Sequence, residues 1–254
     1  MKKALILYWH GLGDVIMLTP HMRYLYNKGY KIDLMCRDIV RKSHLLDHCP
    51  YVNELIEIES PWRDREGKLR TPRGFTEQAV SNTVMFERMS LGYHWSGMGP
   101  HNKQKHEGYH KIDMTSAELG VELKDKQLEI FISEEAERKA LDYIKEDFIF
   151  RHTVAGCHPY HNWDAGEWIR ENLPPYRIIN AIDLKSKFDD INVAFALARR
   201  AKHRVLVSSV FVYACEAMGC TIDAVNYGRA HDRYQGPLNQ SLLLHIREEG
   251  KWIK

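Results

Sequence analysis

Several protein classes are excluded by what this sequence has little of. Its 254 residues include only five cysteines, Cys36, Cys49, Cys157, Cys215 and Cys220, and no two of them form a C-x-x-C pair. An odd, scattered set gives neither a disulfide framework nor structural zinc spacing, so small buried thiols are expected. The longest nearly uncharged stretch, 205–220, falls short of the ~20 residues that a membrane-spanning helix needs. The apolar run at 4–8 is too short for a signal-peptide core, and a cytoplasmic protein is expected. Neither G-x-G-x-x-G nor G-x-x-x-x-G-K-[ST] occurs, so the dinucleotide and P-loop signatures are absent. There is no repeat at solenoid spacing and no low-complexity segment.

Charge of one sign is also lacking overall, with 36 Lys and Arg against 34 Asp and Glu. Its distribution is uneven. Residues 1–111 carry a balance of +5, residues 112–150 one of −6, and residues 151–254 one of +3. An anionic partner would be felt by the first block.

What is present is a strand–helix alternation that runs twice. Residues 4–8 read as a buried strand ending in the turn His10-Gly11-Leu12-Gly13. A helix is predicted over 15–26, with Pro20 able to kink its first turns. Strands at 31–36 and 53–58 flank a helix at 39–46. Two long loops, 61–75 and 92–110, enclose a helix at 77–89. A helix at 112–119, a strand at 128–132 and a serine-capped helix from 134 follow. The alternation restarts with strands at 153–156, 177–182, 204–208 and 221–225, and helices at 165–171, 188–200 and 212–218. This is the pattern of an α/β protein with two parallel sheets facing a cleft. Two domains are expected, 1–148 and 149–254, with a last amphipathic helix, 239–249, placed to pack back on the first.

Three motifs carry candidate chemistry. The turn Gly11-Leu12-Gly13-Asp14 lies where a strand gives way to a helix. Ligands of open α/β sheets bind at such strand ends, and glycines there let backbone approach a ligand closely. Asp14 reads either as a helix cap or as a general base for an acceptor hydroxyl. His158, His161 and Asn162 can hold a phosphate or a sugar hydroxyl; no third ligand for a metal stands beside the two histidines, and no metal is expected. Ser208 and Ser209 precede a helix N-terminus, suited to a pyrophosphate or to simple capping. Arg63, Arg65, Lys68, Arg70 and Arg73 fill one long loop, and the other adds Trp95 among tyrosines, lysines and four histidines. Basic residues interleaved with aromatics suit an anionic partner, or a merely solvated loop.

The stretch from Ile6 to Pro20 resembles the opening strand, G-x-x-G-D turn and proline-bearing helix of glycosyltransferase family 9, the ADP-heptose:lipopolysaccharide heptosyltransferases. Pro50-Tyr51-Val52-Asn53-Glu54-Leu55-Ile56 is similar to that family's N-P-Y-V-D-E-V-I run, and Ser208 to Gly219 aligns without gaps onto its D-[ST]-G-x-x-H-x-A-A-A-x-G. The resemblance implies a GT-B fold: two Rossmann-like domains, acceptor on the first, nucleotide-sugar donor on the second, and neither metal nor cofactor. It implies Asp14 as catalytic base and donor contacts at Gly11, Gly13, His158, His161, Ser208, Ser209 and Tyr213. Arg63, Arg65, Arg70, Arg73 and Trp95 then fall on the acceptor side. His161 stands where the family has a Lys, Ser208 where it has Asp, Val210 where it has Gly, and Tyr213 where it has His.

The expected function is an inverting glycosyltransferase. Its acceptor is anionic: a glycan such as lipopolysaccharide core, or nucleic acid with a hydroxymethylated base, as in phage DNA, reached by base flipping. The donor-side departures favour a rival from another class, a GT-B-like scaffold that binds a nucleotide or sugar without turnover.

Overall fold

The computed structural model describes residues 2–8, 11–58, 95–98, 112, 115–116, 119–154, 162–226 and 251–252, with 95–98 and 251–252 as backbone. The first sheet holds β1 (Lys2–Tyr8), β2 (Tyr30–Arg37), β3 (Val52–Ile58) and β4 (Trp95–Met98), in the order β3-β2-β1-β4. The second holds β5 (Phe148–His152), β6 (Arg177–Asn180), β7 (His203–Val207), β8 (Ala224–Asn226) and β9 (Lys251–Trp252), in the order β6-β5-β7-β8-β9. Every pairing is parallel. Parallel strands are covered on both faces, which is why β2 and β7 read as apolar runs rather than alternations.

The covering helices are α1 (Leu12–Asn27), α2 (Asp38–Lys42), α3 (Glu134–Tyr143), α4 (Gly166–Asn172), α5 (Ala181–Leu184), α6 (Ile191–Arg200) and α7 (Val210–Ala217). Gly29 and Gly219, with φ of +82° and +65°, follow α1 and α7 in the left-handed conformation that ends a helix without steric cost. Ser133 caps α3 by accepting from Ala136 N at 3.1 Å. One apolar core runs through both halves, joined where α1 packs on α7 and α3 on α6. A second tie runs from the turn after α2: Ile191 N donates to Ser43 O at 3.0 Å, and Asn192 Nδ2 to His44 O at 2.8 Å. Thus α3 precedes the expected boundary at 148 yet packs on a helix of the second half.

Pro20 does not interrupt α1. Lacking an N–H, it leaves the Ile16 carbonyl without its intrahelical donor. Thr19 Oγ1 donates to that carbonyl at 2.7 Å and accepts from Glu129 N at 3.0 Å. The same bond accounts for a second difference. Residues 128–132 form no strand; their chain crosses α1 instead, with the Glu129 N–H spent on Thr19. Arg23 holds it further through ion pairs to Asp125 at 2.8 Å and Glu129 at 3.0 Å.

Other expectations are corrected. The helix read at 39–46 stops at Lys42, because His44 takes a positive φ of 60°. The strand read at 153–156 is β5, and it ends at His152. The segment 92–110, read wholly as loop, contains β4, which pairs with Ala4 to Leu7 and covers what would be an open edge of the central strand. The helices read at 77–89 and 239–249 and the loop 61–75 lie outside the described residues. Cys36, Cys49, Cys215 and Cys220 are free and buried. Among the described residues no helix is long and apolar enough to cross a membrane.

Candidate functional site

Two helix N-termini meet, one from each half. The first belongs to α1, whose N-cap is Gly11 in extended backbone (φ −72°, ψ 173°). Gly11 N donates to Asp14 Oδ2 at 3.0 Å, one half of a capping box; Gly11 has no side chain with which to supply the other. Asp14 is half-buried. The cap reading of Asp14 is therefore met geometrically.

The second N-terminus belongs to α7. Ser208 N donates to Asn226 O at 2.9 Å, which fixes the turn between β7 and the helix. Ser209 is the N-cap by position, but its hydroxyl makes no cap bond. It is hydrogen-bonded at 3.0 Å to His152 Nδ1. Of the two readings of this serine, the simple cap is not what forms: the hydroxyl is drawn sideways by a histidine from the neighbouring strand. β5 delivers His152 there, paired in register with Leu206 of β7.

Gly13 joins the two helices. A Cβ at Gly13 would lie 2.6 Å from Tyr213 Cδ2, 2.9 Å from Tyr213 Cε2 and 3.4 Å from Val210 Cα. The bare Cα is what lets the second turn residue of α1 sit against the first turn of α7. At Gly11 the nearest such contact is 3.6 Å, an ordinary separation. Of the two glycines, Gly13 is the one that packing requires. Tyr213, aligned with a family histidine, packs its ring on α1.

Two helix ends side by side place partial positive charge from both dipoles over one region, with Asp14 at its rim. Their first-turn N–H groups form the kind of surface that binds phosphate. His152 adds a polar group without charge: burial pushes its imidazole down to about 4, and it is neutral near pH 7. Its ring lies 4.8 Å from that of Phe211, which also packs on Phe150 and Phe195.

Sequence reasoning misses His152 because it starts the strand at 153, five residues late. The signal was available in the apolar run Phe148-Ile149-Phe150 directly after Asp147. His158, His161, Arg63, Arg65, Arg70 and Arg73 lie outside the described residues. Trp95 opens β4, its backbone beside Ala4. Among the described residues, no group of three or more His, Cys, Asp or Glu side chains is placed to hold a metal ion.

No protein-family profile matches the sequence, and no curated protein matches it. Solved structures do match. A glycosyl transferase family 9 protein from Veillonella parvula superposes with a TM-score of 0.63 at 13% identity, over 99% of this chain and 86% of that one. The E. coli ADP-heptose LPS heptosyltransferase II gives 0.61 at 14% identity, over 100% and 90%. E. coli heptosyltransferase WaaC, solved with ADP-2-deoxy-2-fluoro heptose, gives 0.53 at 14% identity, over 88% of each chain. At such identities the likeness is one of fold, and the fold of this chain is the two-sheet α/β architecture of GT-B glycosyltransferases.

Proposed function

We propose that this chain is an inverting, metal-independent glycosyltransferase that uses a nucleotide-sugar donor, a diverged relative of family 9. The observation that carries the reading is the convergence of the Asp14-bearing N-terminus of α1 with the N-terminus of α7, through the Gly13–Tyr213 contact. In a fold shared with solved glycosyltransferases, that arrangement supplies the two things the reaction needs. One is a base for the acceptor hydroxyl, and the other is a seat for the departing diphosphate.

In the proposed reaction, the acceptor oxygen attacks the anomeric carbon from the face opposite the diphosphate. Asp14 takes the hydroxyl proton as the new glycosidic bond forms. The bond from anomeric carbon to phosphate oxygen breaks, and the nucleoside diphosphate leaves with the electron pair. Its charge falls on the first-turn N–H groups of α7 and on the Ser208 and Ser209 turn. Gly11, Gly13 and Tyr213 shape this seat, and His158 and His161, which follow β5 in sequence, are proposed as further donor contacts.

The acceptor is proposed to be anionic and held by Arg63, Arg65, Arg70, Arg73 and Trp95, on the +5 balance of residues 1–111. A duplex DNA acceptor requires steep salt dependence, with a slope near −0.9 per phosphate contacted, while a small phosphorylated glycan gives a shallow one. The two are separated by titrating each at several salt concentrations.

Asp14→Asn tests the chemistry. The variant is expected to fold and to bind donor nearly as wild type, with turnover lowered by roughly 10²–10⁴-fold. Full turnover in that variant removes Asp14 from the reaction. A wild-type chain that binds nucleotide-sugar yet neither transfers nor hydrolyses it favours the binding-protein reading, to which the Val210 and Tyr213 departures point.

A further inference from the structure

We infer that His152 is a positioning residue that turns the Ser209 hydroxyl proton outward, toward a donor phosphate. This inference rests on the donor site proposed above and deepens it by adding a residue that no motif contains.

The Ser209 hydroxyl is in an unusual situation. Serine at an N-cap ordinarily accepts from a backbone N–H of the first turn. Ser209 has the extended backbone of an N-cap, φ −161° and ψ 180°, and its side chain declines that bond. Its Oγ lies 3.0 Å from His152 Nδ1 instead. Two consequences follow. The helix keeps its first-turn N–H groups free of the serine side chain, and the direction of the hydroxyl proton is set by the imidazole.

That imidazole is held in place. Its backbone is paired between strands, Arg151 and His152 lying against Val205 and Leu206. Its ring rests on Phe211, the second residue of α7, which is anchored between Phe150 and Phe195. The histidine thus touches the start of α7 at two points: its ring at Phe211 and its Nδ1 at Ser209. A neutral imidazole carries one N–H, so Nδ1 either donates or accepts. If Nδ1 accepted, the serine proton would point into the protein and only oxygen lone pairs would face the helix end. Lone pairs there repel an anion. If Nδ1–H donates to Ser209 Oγ, the serine proton is left for a phosphate oxygen, and the two bonds polarise each other in one direction. The tautomer that serves an anion is Nδ1–H, with Nε2 unprotonated.

A protonated histidine would add charge to the site at the expense of burying it, whereas a neutral one gives direction alone. An asparagine at 152 would place an amide N–H near the position of Nδ1, whereas phenylalanine would keep the ring packing and remove the donor. Glutamine would carry its amide past that position.

The experiment has two arms. In the first, the wild-type imidazole is observed by nitrogen-correlated NMR in the free protein, the His152 signal being assigned by its loss in His152→Asn. The Nδ1–H tautomer is expected. The Nε2–H tautomer overturns the inference whatever the ligand results. In the second arm, ADP, GDP, UDP and CDP are titrated calorimetrically into wild type, Ser209→Ala, His152→Phe, His152→Asn, His152→Gln and the double variant Ser209→Ala with His152→Phe. For the nucleotide that binds, Ser209→Ala and His152→Phe are each expected to weaken affinity on the order of tenfold, and the double variant no further. His152→Asn is expected to restore most of the loss and His152→Gln little of it. Unchanged affinity in His152→Phe, or losses that multiply in the double variant, would overturn the inference. If wild type binds none of the four, the donor reading itself fails, and the tautomer arm still decides how His152 holds Ser209.

Discussion

A Cβ placed on Gly13 would come within 2.6 Å of the ring of Tyr213, closer than carbon atoms approach. This close approach lies where α1 of the first half packs on α7 of the second. Gly13→Ala is expected to destabilise the protein by about 1–3 kcal/mol, the usual range for overpacking. Removing the obstructing ring should relieve the strain, so Gly13→Ala with Tyr213→Ala should cost less than the two single variants added. Urea denaturation of the four proteins measures this, and strict additivity would contradict the contact.

Much of the architecture could be read from periodicity and turn residues. The apolar runs of β1 and β2, the Gly29 and Gly219 stops, and the serine cap of α3 are local signals, and the local physics is what formed there. What could not be read depended on partners distant in sequence. Leu128 to Ile132 has the composition of a strand, but Glu129 N is claimed by Thr19 Oγ1, 110 positions away. Trp95 to Met98 has little strand character of its own and is drawn into β4 by the open edge of β1. The candidate site divides in the same way. Asp14 and Ser209 stand out at strand-to-helix turns, whereas His152 matters only because β5 and α7 are neighbours.

Thr19 shows how a proline is accommodated within a helix. Its hydroxyl donates to the carbonyl that Pro20 orphans and accepts from the segment that crosses α1. Thr19→Val keeps the shape and removes both bonds. A loss of about 1–3 kcal/mol is expected, because one buried and one half-buried backbone group lose their partner. Thermal or chemical denaturation checks it; a loss near zero would mean that water replaces the hydroxyl.

Arg204 is a buried cation at the end of α6. It donates to the carbonyls of Ala198 at 2.6 Å, Arg199 at 2.8 Å, Ala201 at 2.7 Å and Thr221 at 3.0 Å. A positive charge at a helix C-terminus is also stabilised by the negative end of the dipole there. Arg204→Met leaves these carbonyls without their donor and should cost at least about 1–3 kcal/mol, the range for an unsatisfied buried polar group. Equilibrium unfolding measures it, and a change below about 1 kcal/mol would contradict this account.

Stability should fall with acid partly through His152. Burial lowers its imidazole from 6.5 to about 4, so the unfolded chain takes up the proton more readily than the fold. The contribution is complete above pH 6.5 and is lost as the pH falls from 6.5 toward 4. Its upper bound is on the order of 3 kcal/mol, since the side chain keeps part of its exposure. His44 acts in the opposite sense: Asp47, 2.7 Å away, raises its imidazole, and that exposed pair favours the fold below pH 6.5 and fades as pH rises. His152→Phe should flatten the decline between pH 6.5 and 4. An identical slope in that variant would contradict the neutral, buried state of His152.

The paired N-termini of α1 and α7 are proposed to hold a nucleoside diphosphate. The most direct measurement is the melting temperature of the wild-type chain against a panel of nucleoside diphosphates and nucleotide-sugars. A ligand present at 100 times its dissociation constant stabilises the fold by about 2.7 kcal/mol, an easily resolved shift. The account predicts that at least one nucleoside diphosphate and its sugar conjugate raise the melting temperature together, and that Ser209→Ala reduces both shifts. No shift with any member of the panel, or a shift unaffected by Ser209→Ala, would contradict it.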